Sequence, residues 1–201
     1  MKHVEFLFDF GSPNAYFSHK VIPEIEKRTG AKFEYVPVLL GGLFKLTNNQ
    51  PPMVAFGGVK GKLAYEQLES QRFIKKHSLT KFKFNPNFPV NTLALMRITV
   101  AAQAEGELIA YVDAAFRWMW EEGRKMDDPE IIRASLLESG LDADRLIAAS
   151  QTPENKAKLL ANTEAAANRG VFGSPSFFVG DELFFGKDRL REVEEEIVAF
   201  R

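Results

Sequence analysis

Apolar and polar positions alternate at the start of the chain. Over residues 2–10 (Lys-His-Val-Glu-Phe-Leu-Phe-Asp-Phe), Val4, Phe6 and Phe8 share one side, the period-two pattern of a strand, and Phe10 closes the run. Gly11 breaks it. Ser12-Pro13 then supplies a helix start, with serine as N-cap and proline at the first helical position. Phe17, Val21 and Ile25 recur at steps of four, Gly30 ends the helix, and Pro23 inside it predicts a kink. Residues 32–38 read as a second strand, so the opening is a βαβ unit whose strands run parallel through a right-handed crossover.

The segment 41–62 breaks this regularity. Gly41, Gly42, Gly57, Gly58 and Gly61 surround Asn48-Asn49-Gln50-Pro51-Pro52, which predicts a functional or mobile loop and no clean helix or strand. Helical stretches follow at about 63–77, 91–105, 107–122, 129–139, 142–150 and 153–168. Two of them have clear starts, Asp128-Pro129-Glu130 and Thr152-Pro153-Glu154. Strand character returns in Ser176–Val179 and Glu182–Phe185, joined by the two-residue turn Gly180-Asp181. A last helix begins near Asp188, with Leu190, Val193 and Ile197 on one face. The order β-α-β, helical block, β-β-α is that of an α/β thioredoxin-like fold with a large all-helical insertion and a mixed sheet. The matching division assigns 1–40 and 170–201 to a thioredoxin-like domain, and 41–169 to a connecting loop and helical insertion domain.

Composition narrows the chemistry. A chain of 201 residues can pack one domain with an outgrowth. A formal net charge of −1 gives no reason to expect nucleic acid or an anionic membrane as partner. No apolar stretch approaches the roughly 20 residues of a membrane span, and the first residues lack a signal-peptide core, so a cytoplasmic location is expected. The 18 Phe predict an aromatic core or cleft. The absence of cysteine excludes disulfides, thiolate metal sites, a cysteine nucleophile and any dithiol cycle of the protein's own. His3, His19 and His77 lack metal-ligand spacing; each reads as a surface or core-edge residue, and no metal is expected.

In the thioredoxin-like order, four places converge. Ser12 stands at the N-terminus of the first helix, where free N–H groups and the helix dipole stabilise an anion. Ser174-Pro175 precedes the third strand and faces that helix start. Gly186-Lys187-Asp188-Arg189 opens the last helix with charges suited to a small zwitterionic ligand. The loop carrying Lys45 and Asn49 is the fourth. A thiolate at a helix N-terminus, hydrogen-bonded by a serine hydroxyl, has a lowered pKa. With no cysteine in the chain, a small molecule must bring that thiolate, and glutathione is the obvious candidate. A serine nucleophile needs a neighbouring base. His19, about two turns into the helix, is misplaced for that, which argues against a hydrolase. Taken singly, each feature also has a bland reading: a helix cap, a loop, a solvated first turn. Their weight comes from falling at the right places of one topology.

Phe8-Asp9-Phe10-Gly11-Ser12-Pro13-Asn14-Ala15-Tyr16 resembles the opening motif of 2-hydroxychromene-2-carboxylate isomerases and kappa-class glutathione transferases. Gly170-Val171-Phe172-Gly173-Ser174-Pro175, Phe185-Gly186-Lys187-Asp188-Arg189-Leu190 and Asn49-Gln50-Pro51-Pro52 resemble further motifs of the group, so the likeness spans the chain. The resemblance implies a disulfide-oxidoreductase-like thioredoxin fold that binds glutathione. It implies that Ser12 activates the glutathione sulfur and that the Ser174 backbone pairs with the cysteinyl part, with Pro175 cis. Lys187 and Asp188 would hold the γ-glutamyl end, and Asn49 the glycyl or backbone end. Lys45 and Phe88 stand near the family's substrate-contacting positions, Lys45 only with a one-residue insertion and Phe88 without a hydroxyl. The implied activity is glutathione-dependent isomerisation of a small aromatic keto acid in aromatic catabolism. A kappa-like transferase is the alternative and a non-catalytic thioredoxin-like binding module a second one; the resemblance makes a homodimer plausible without fixing the oligomeric state.

Overall fold

The computed structural model describes residues 3–199. The chain begins with β1 (Val4–Phe8), α1 (Pro13–Thr29) and β2 (Phe33–Pro37). Seven helices follow: α2 (Leu40–Thr47), α3 (Pro52–Ala55), α4 (Lys62–Lys76), α5 (Leu93–Ala104), α6 (Leu108–Trp120), α7 (Pro129–Glu138) and α8 (Ala143–Ser150). After α9 (Pro153–Asn168) come β3 (Ser176–Val179), β4 (Glu182–Phe185), a 3-10 turn (Lys187–Arg189) and α10 (Leu190–Ala199). The four strands form one mixed sheet in the order β2-β1-β3-β4. β1 runs parallel to β2 and antiparallel to β3, and β3 antiparallel to β4. This is an α/β thioredoxin-like fold with a large helical insertion.

Alternation along the strands divides the core. Phe6, Phe8 and Phe177 face one way, with Phe6 stacked on both of the others at 5.3 and 5.4 Å between ring centroids. They join Tyr35, Phe10 and Phe116 beneath α1, α6 and α10. Leu7 and Phe178 face the other way, onto Val38, Leu43, Ala166 and Val171 under α2 and the end of α9. Burying a large side chain of this kind contributes about 1.5–3 kcal/mol, so both faces anchor the sheet.

Local signals behave as their chemistry predicts at several boundaries. The Ser12 hydroxyl accepts the Ala15 N–H at 3.2 Å, and Gly30 ends α1 in the left-handed conformation with φ 71°. α1 continues through Pro23 as one helix. Asp128 and Thr152 cap α7 and α9. β1 is shorter than the alternation suggested, because the Asp9 N–H donates to the Ser174 hydroxyl at 3.1 Å instead of to a ladder carbonyl. Lys2 lies outside the described residues. The last helix starts at Leu190, after the 3-10 turn, rather than at Asp188.

Two expectations are overturned. The glycine-rich segment does hold a helix, α2, despite the roughly 1 kcal/mol that a glycine costs in a helix interior. Leu43 is fully buried between β1 and α9, and the Leu40 N–H donates to the Asp9 carboxylate at 2.7 Å. Gly42 permits the close approach: a Cβ there would lie 3.1 Å from Thr163 Cγ2 on α9. Tertiary packing therefore outweighs propensity. A second short helix, α3, follows Pro51. His19, expected at the surface or core edge, is buried. Its Nδ1 lies 2.8 Å from the Tyr35 hydroxyl, its Nε2 lies 2.7 Å from Asp113 Oδ1, and its ring stacks on Phe116. Two polar partners on a stacked ring make burial of an imidazole tolerable.

Candidate active site

The β1–α1 turn is organised by a buried carboxylate. Asp9 Oδ1 accepts the Gly11 N–H at 2.8 Å and the Thr92 hydroxyl at 2.7 Å, and Oδ2 accepts the Leu40 N–H. One side chain thereby ties the Ser12 turn to the starts of α2 and α5. Burial pushes the Asp9 carboxyl above its ordinary range, opposed by the hydrogen bonds from Leu40, Gly11 and Thr92. Gly11 fits beneath it, since a Cβ there would meet Asp9 Oδ1 at 3.3 Å. The Trp120 indole N–H donates to the Phe10 carbonyl at 2.8 Å and pins the same turn from α6.

Above this base sit two serines. The Ser12 hydroxyl donates to the Ser174 carbonyl at 2.8 Å, across 162 positions of sequence. The Ser174–Pro175 peptide bond is cis, and the Pro175 carbonyl accepts the Gly186 N–H at 2.9 Å. Ser12 and Ser174 are 5% and 8% exposed. The Asn14 N–H lies in the first turn of α1, where N–H groups have no intrahelical acceptor. The arrangement offers donors to an anion at the helix start and a backbone edge to an extended ligand. Both His19 nitrogens are engaged by Tyr35 and Asp113, so this imidazole is not placed to act as a base on Ser12.

The remaining expected residues fall into two groups. Asn49 follows α2, and its side-chain amide donates to the Phe172 carbonyl at 2.9 Å, which joins the α2 loop to the segment before Ser174. Phe88 packs on Phe84 and Trp120, at 5.1 and 6.2 Å between centroids, and through Trp120 reaches the Phe10 turn. Lys45 is exposed on α2. Lys187 and Asp188 stand apart. The Lys187 ammonium is buried, paired with Asp188 at 2.9 Å and placed over the Phe73 ring of α4 at 5.5 Å. The pair lines a groove of about 470 Å³ walled by α1, α4 and α10, to which Ser12, Ser174 and Asn49 do not contribute. The backbone at Gly186 reaches the site, while the lysine side chain turns away from it.

The residues that sequence reasoning missed are Thr92, Leu40 and Trp120, and the central part played by Asp9. A carboxylate between Phe8 and Phe10 at the end of an apolar strand was the available signal, because a buried acid demands donors.

Comparison with known proteins extends this picture. The model of the DSBA-like thioredoxin domain family matches residues 3–198. The chain belongs to that family. A 2-hydroxychromene-2-carboxylate isomerase of Sphingobium xenophagum is 28% identical to this DSBA-like chain over 197 residues, covering 98% of each. Glutathione S-transferase kappa 1 of Homo sapiens is 23% identical over 201 residues, covering 93% of this chain and 87% of its own. A solved selenomethionine 2-hydroxychromene-2-carboxylate isomerase has a TM-score of 0.74 at 25% identity, covering 98% of this chain and 95% of the other. No helix among the described residues is long and apolar enough to cross a membrane.

Proposed function

We propose that this chain is a glutathione-dependent isomerase of the 2-hydroxychromene-2-carboxylate type, interconverting a small aromatic keto acid and its chromene isomer. The observation that carries the reading is the Ser12 hydroxyl, which caps α1 opposite the Ser174 carbonyl in a chain without cysteine. The near-complete coverage of relatives with this name supports it. Glutathione, when bound, supplies a thiolate that adds reversibly to a conjugated carbon and so permits rotation about the former double bond.

The protein's part is positioning and charge. The Ser12 hydroxyl and the first-turn N–H groups of α1 hold the negative sulfur, and the helix dipole adds to their effect. The Ser174 backbone aligns the peptide, and Asp9 keeps both elements in place. Phe88, with Phe84 and Trp120 behind it, gives an apolar wall for the aryl group. Lys45 supplies a cation for the substrate carboxylate. Asn49 closes the glycyl side from its place on the Phe172 carbonyl. Asp188, paired with a Lys187 whose side chain turns away from Ser12, would hold the γ-glutamyl end. Of the two, the exposed Asp188 carboxylate fits a ligand ammonium, whereas Lys187 serves as its buried counter-ion.

Turnover of 2-hydroxychromene-2-carboxylate with glutathione tests the reading. Ser12→Ala is expected to lower kcat about 100-fold, the cost typical of losing one donor to a developing anion, with most glutathione affinity kept. Unchanged turnover refutes thiolate activation by Ser12. Absence of thermal stabilisation by millimolar glutathione refutes the cofactor. The kappa-named relative favours a second reading, a transferase using the same activated sulfur. Conjugation of an aryl halide, without isomerase turnover, selects it.

A further inference from the structure

The whole-chain charge of −1 averages over two unequal parts. Residues 35–104 hold nine Lys and Arg and two acids, a net of +7, so the remaining residues carry −8. Both acids are already paired within α4, Glu66 with Lys62 at 2.6 Å and Glu69 with Arg72. In the middle of this basic segment Met53, Val54 and Val59 are 58%, 65% and 53% exposed, and Phe56, Tyr65 and Leu68 are exposed too. No residue between Lys45 and Lys60 is charged. The chain is tightly wound there: the Val54, Phe56, Val59 and Lys62 N–H groups donate to the Pro51, Pro52, Phe56 and Val59 carbonyls. The apolar side chains therefore stand on one continuous run of turns leading into α4, with the Lys62 ammonium over the Phe56 ring at 5.2 Å. Neither α3 nor α4 has a fully buried residue. Single exposed apolar residues are ordinary, but a contiguous cluster framed by cations marks an interaction surface.

We propose that this face docks reversibly on an anionic lipid membrane. Met53, Val54, Phe56 and Val59 enter the boundary between headgroups and acyl chains, and Lys60 and Lys62 meet the lipid phosphates. No helix among the described residues can cross a membrane, so the chain lies on the surface. Charge complementarity decides the occupant. A two-fold contact between copies would set this face against itself, and with no acid from residue 35 to 65 the lysines of both copies would repel. Shape points the same way. The apolar side chains project from turns and do not line the groove of α1, α4 and α10, so a soft acyl layer accommodates them without a matching pocket. The proposal does not depend on the Ser12 site.

The test is co-sedimentation with vesicles of equal parts phosphatidylglycerol and phosphatidylcholine, against vesicles of phosphatidylcholine alone. The wild-type protein should bind the anionic vesicles at least about tenfold more tightly, and salt near 1 M, where the screening length falls to about 3 Å, should release it. The triple variant Met53→Ser, Val54→Ser, Val59→Ser should bind the anionic vesicles at least about tenfold more weakly. Lys60→Glu, which reverses one charge of the face, should weaken binding by about tenfold. All four side chains are exposed, so an unchanged Tm shows that each variant is folded. Failure to bind anionic vesicles, equal binding to neutral ones, or full binding by the triple variant overturns the proposal. Tighter binding to polyglutamate than to the anionic vesicles overturns it in favour of an acidic polypeptide. A dimer in light scattering that the triple variant abolishes overturns it in favour of a second copy.

Discussion

Replacing Asp9 by asparagine changes one oxygen to an NH2 group and leaves the shape of the side chain intact. The wild-type carboxylate accepts three hydrogen bonds in a place with no solvent exposure. If the amide oxygen keeps Gly11 and Thr92, the NH2 group must face the Leu40 N–H across 2.7 Å, donor against donor. Two buried donors without acceptors cost about 1–3 kcal/mol each, partly offset because a charge no longer has to be buried. A net loss of about 2 kcal/mol lowers Tm by about 4–8 °C in a chain of this size. The sign with pH follows from the raised folded pKa. Folded Asp9 holds its proton above its ordinary value of 3.8, so its contribution to stability is full below that pH and is lost as pH rises through the folded value. The asparagine penalty should therefore be largest near pH 4 and shrink towards neutrality. Urea unfolding of both proteins across that range measures it. A variant as stable as wild type throughout, or a penalty that grows with pH, refutes the place given to Asp9.

Two further outcomes follow from neighbouring contacts. Gly173→Ala places a Cβ 2.8 Å from Phe185 Cε2; the ring must swing off Phe172, and losing that contact costs about 1 kcal/mol, seen as a Tm about 2–4 °C lower. An unchanged Tm shows that the pair contributes nothing. The His19 hydrogen bond holds the Asp113 carboxyl below its ordinary 3.8, so this contribution is present above that pH and is lost as pH falls through the depressed value. His19→Phe keeps the stack on Phe116 and removes the bond. NMR titration should then show the Asp113 pKa rising towards 3.8, and no rise contradicts the pairing.

Much of this protein is written locally. The two-residue period of β1, the Ser12-Pro13 helix start, the Gly180-Asp181 turn and the capped starts of α7 and α9 each depend on residues within a few positions. Their order was enough to read the thioredoxin-like arrangement and to set Ser12 opposite Ser174. What composition could not reveal was α2, whose two glycines argue against a helix. Its existence depends on burying Leu43 and on an acceptor for the Leu40 N–H, 31 residues away on Asp9. The same holds for the site. Asp9 acts as its hub only because Thr92, 83 residues distant, and Leu40 arrive beside it, and Lys187 turns aside because Phe73 of α4 offers its ring. Ser12 itself was legible as a helix cap, but the destination of its proton was not. That depends on a carbonyl 162 positions away, which only the folded sheet brings within 2.8 Å. Periodicity and capping are short-range forces and leave their mark in sequence; the pairing of a single buried proton is decided by where distant backbone comes to rest.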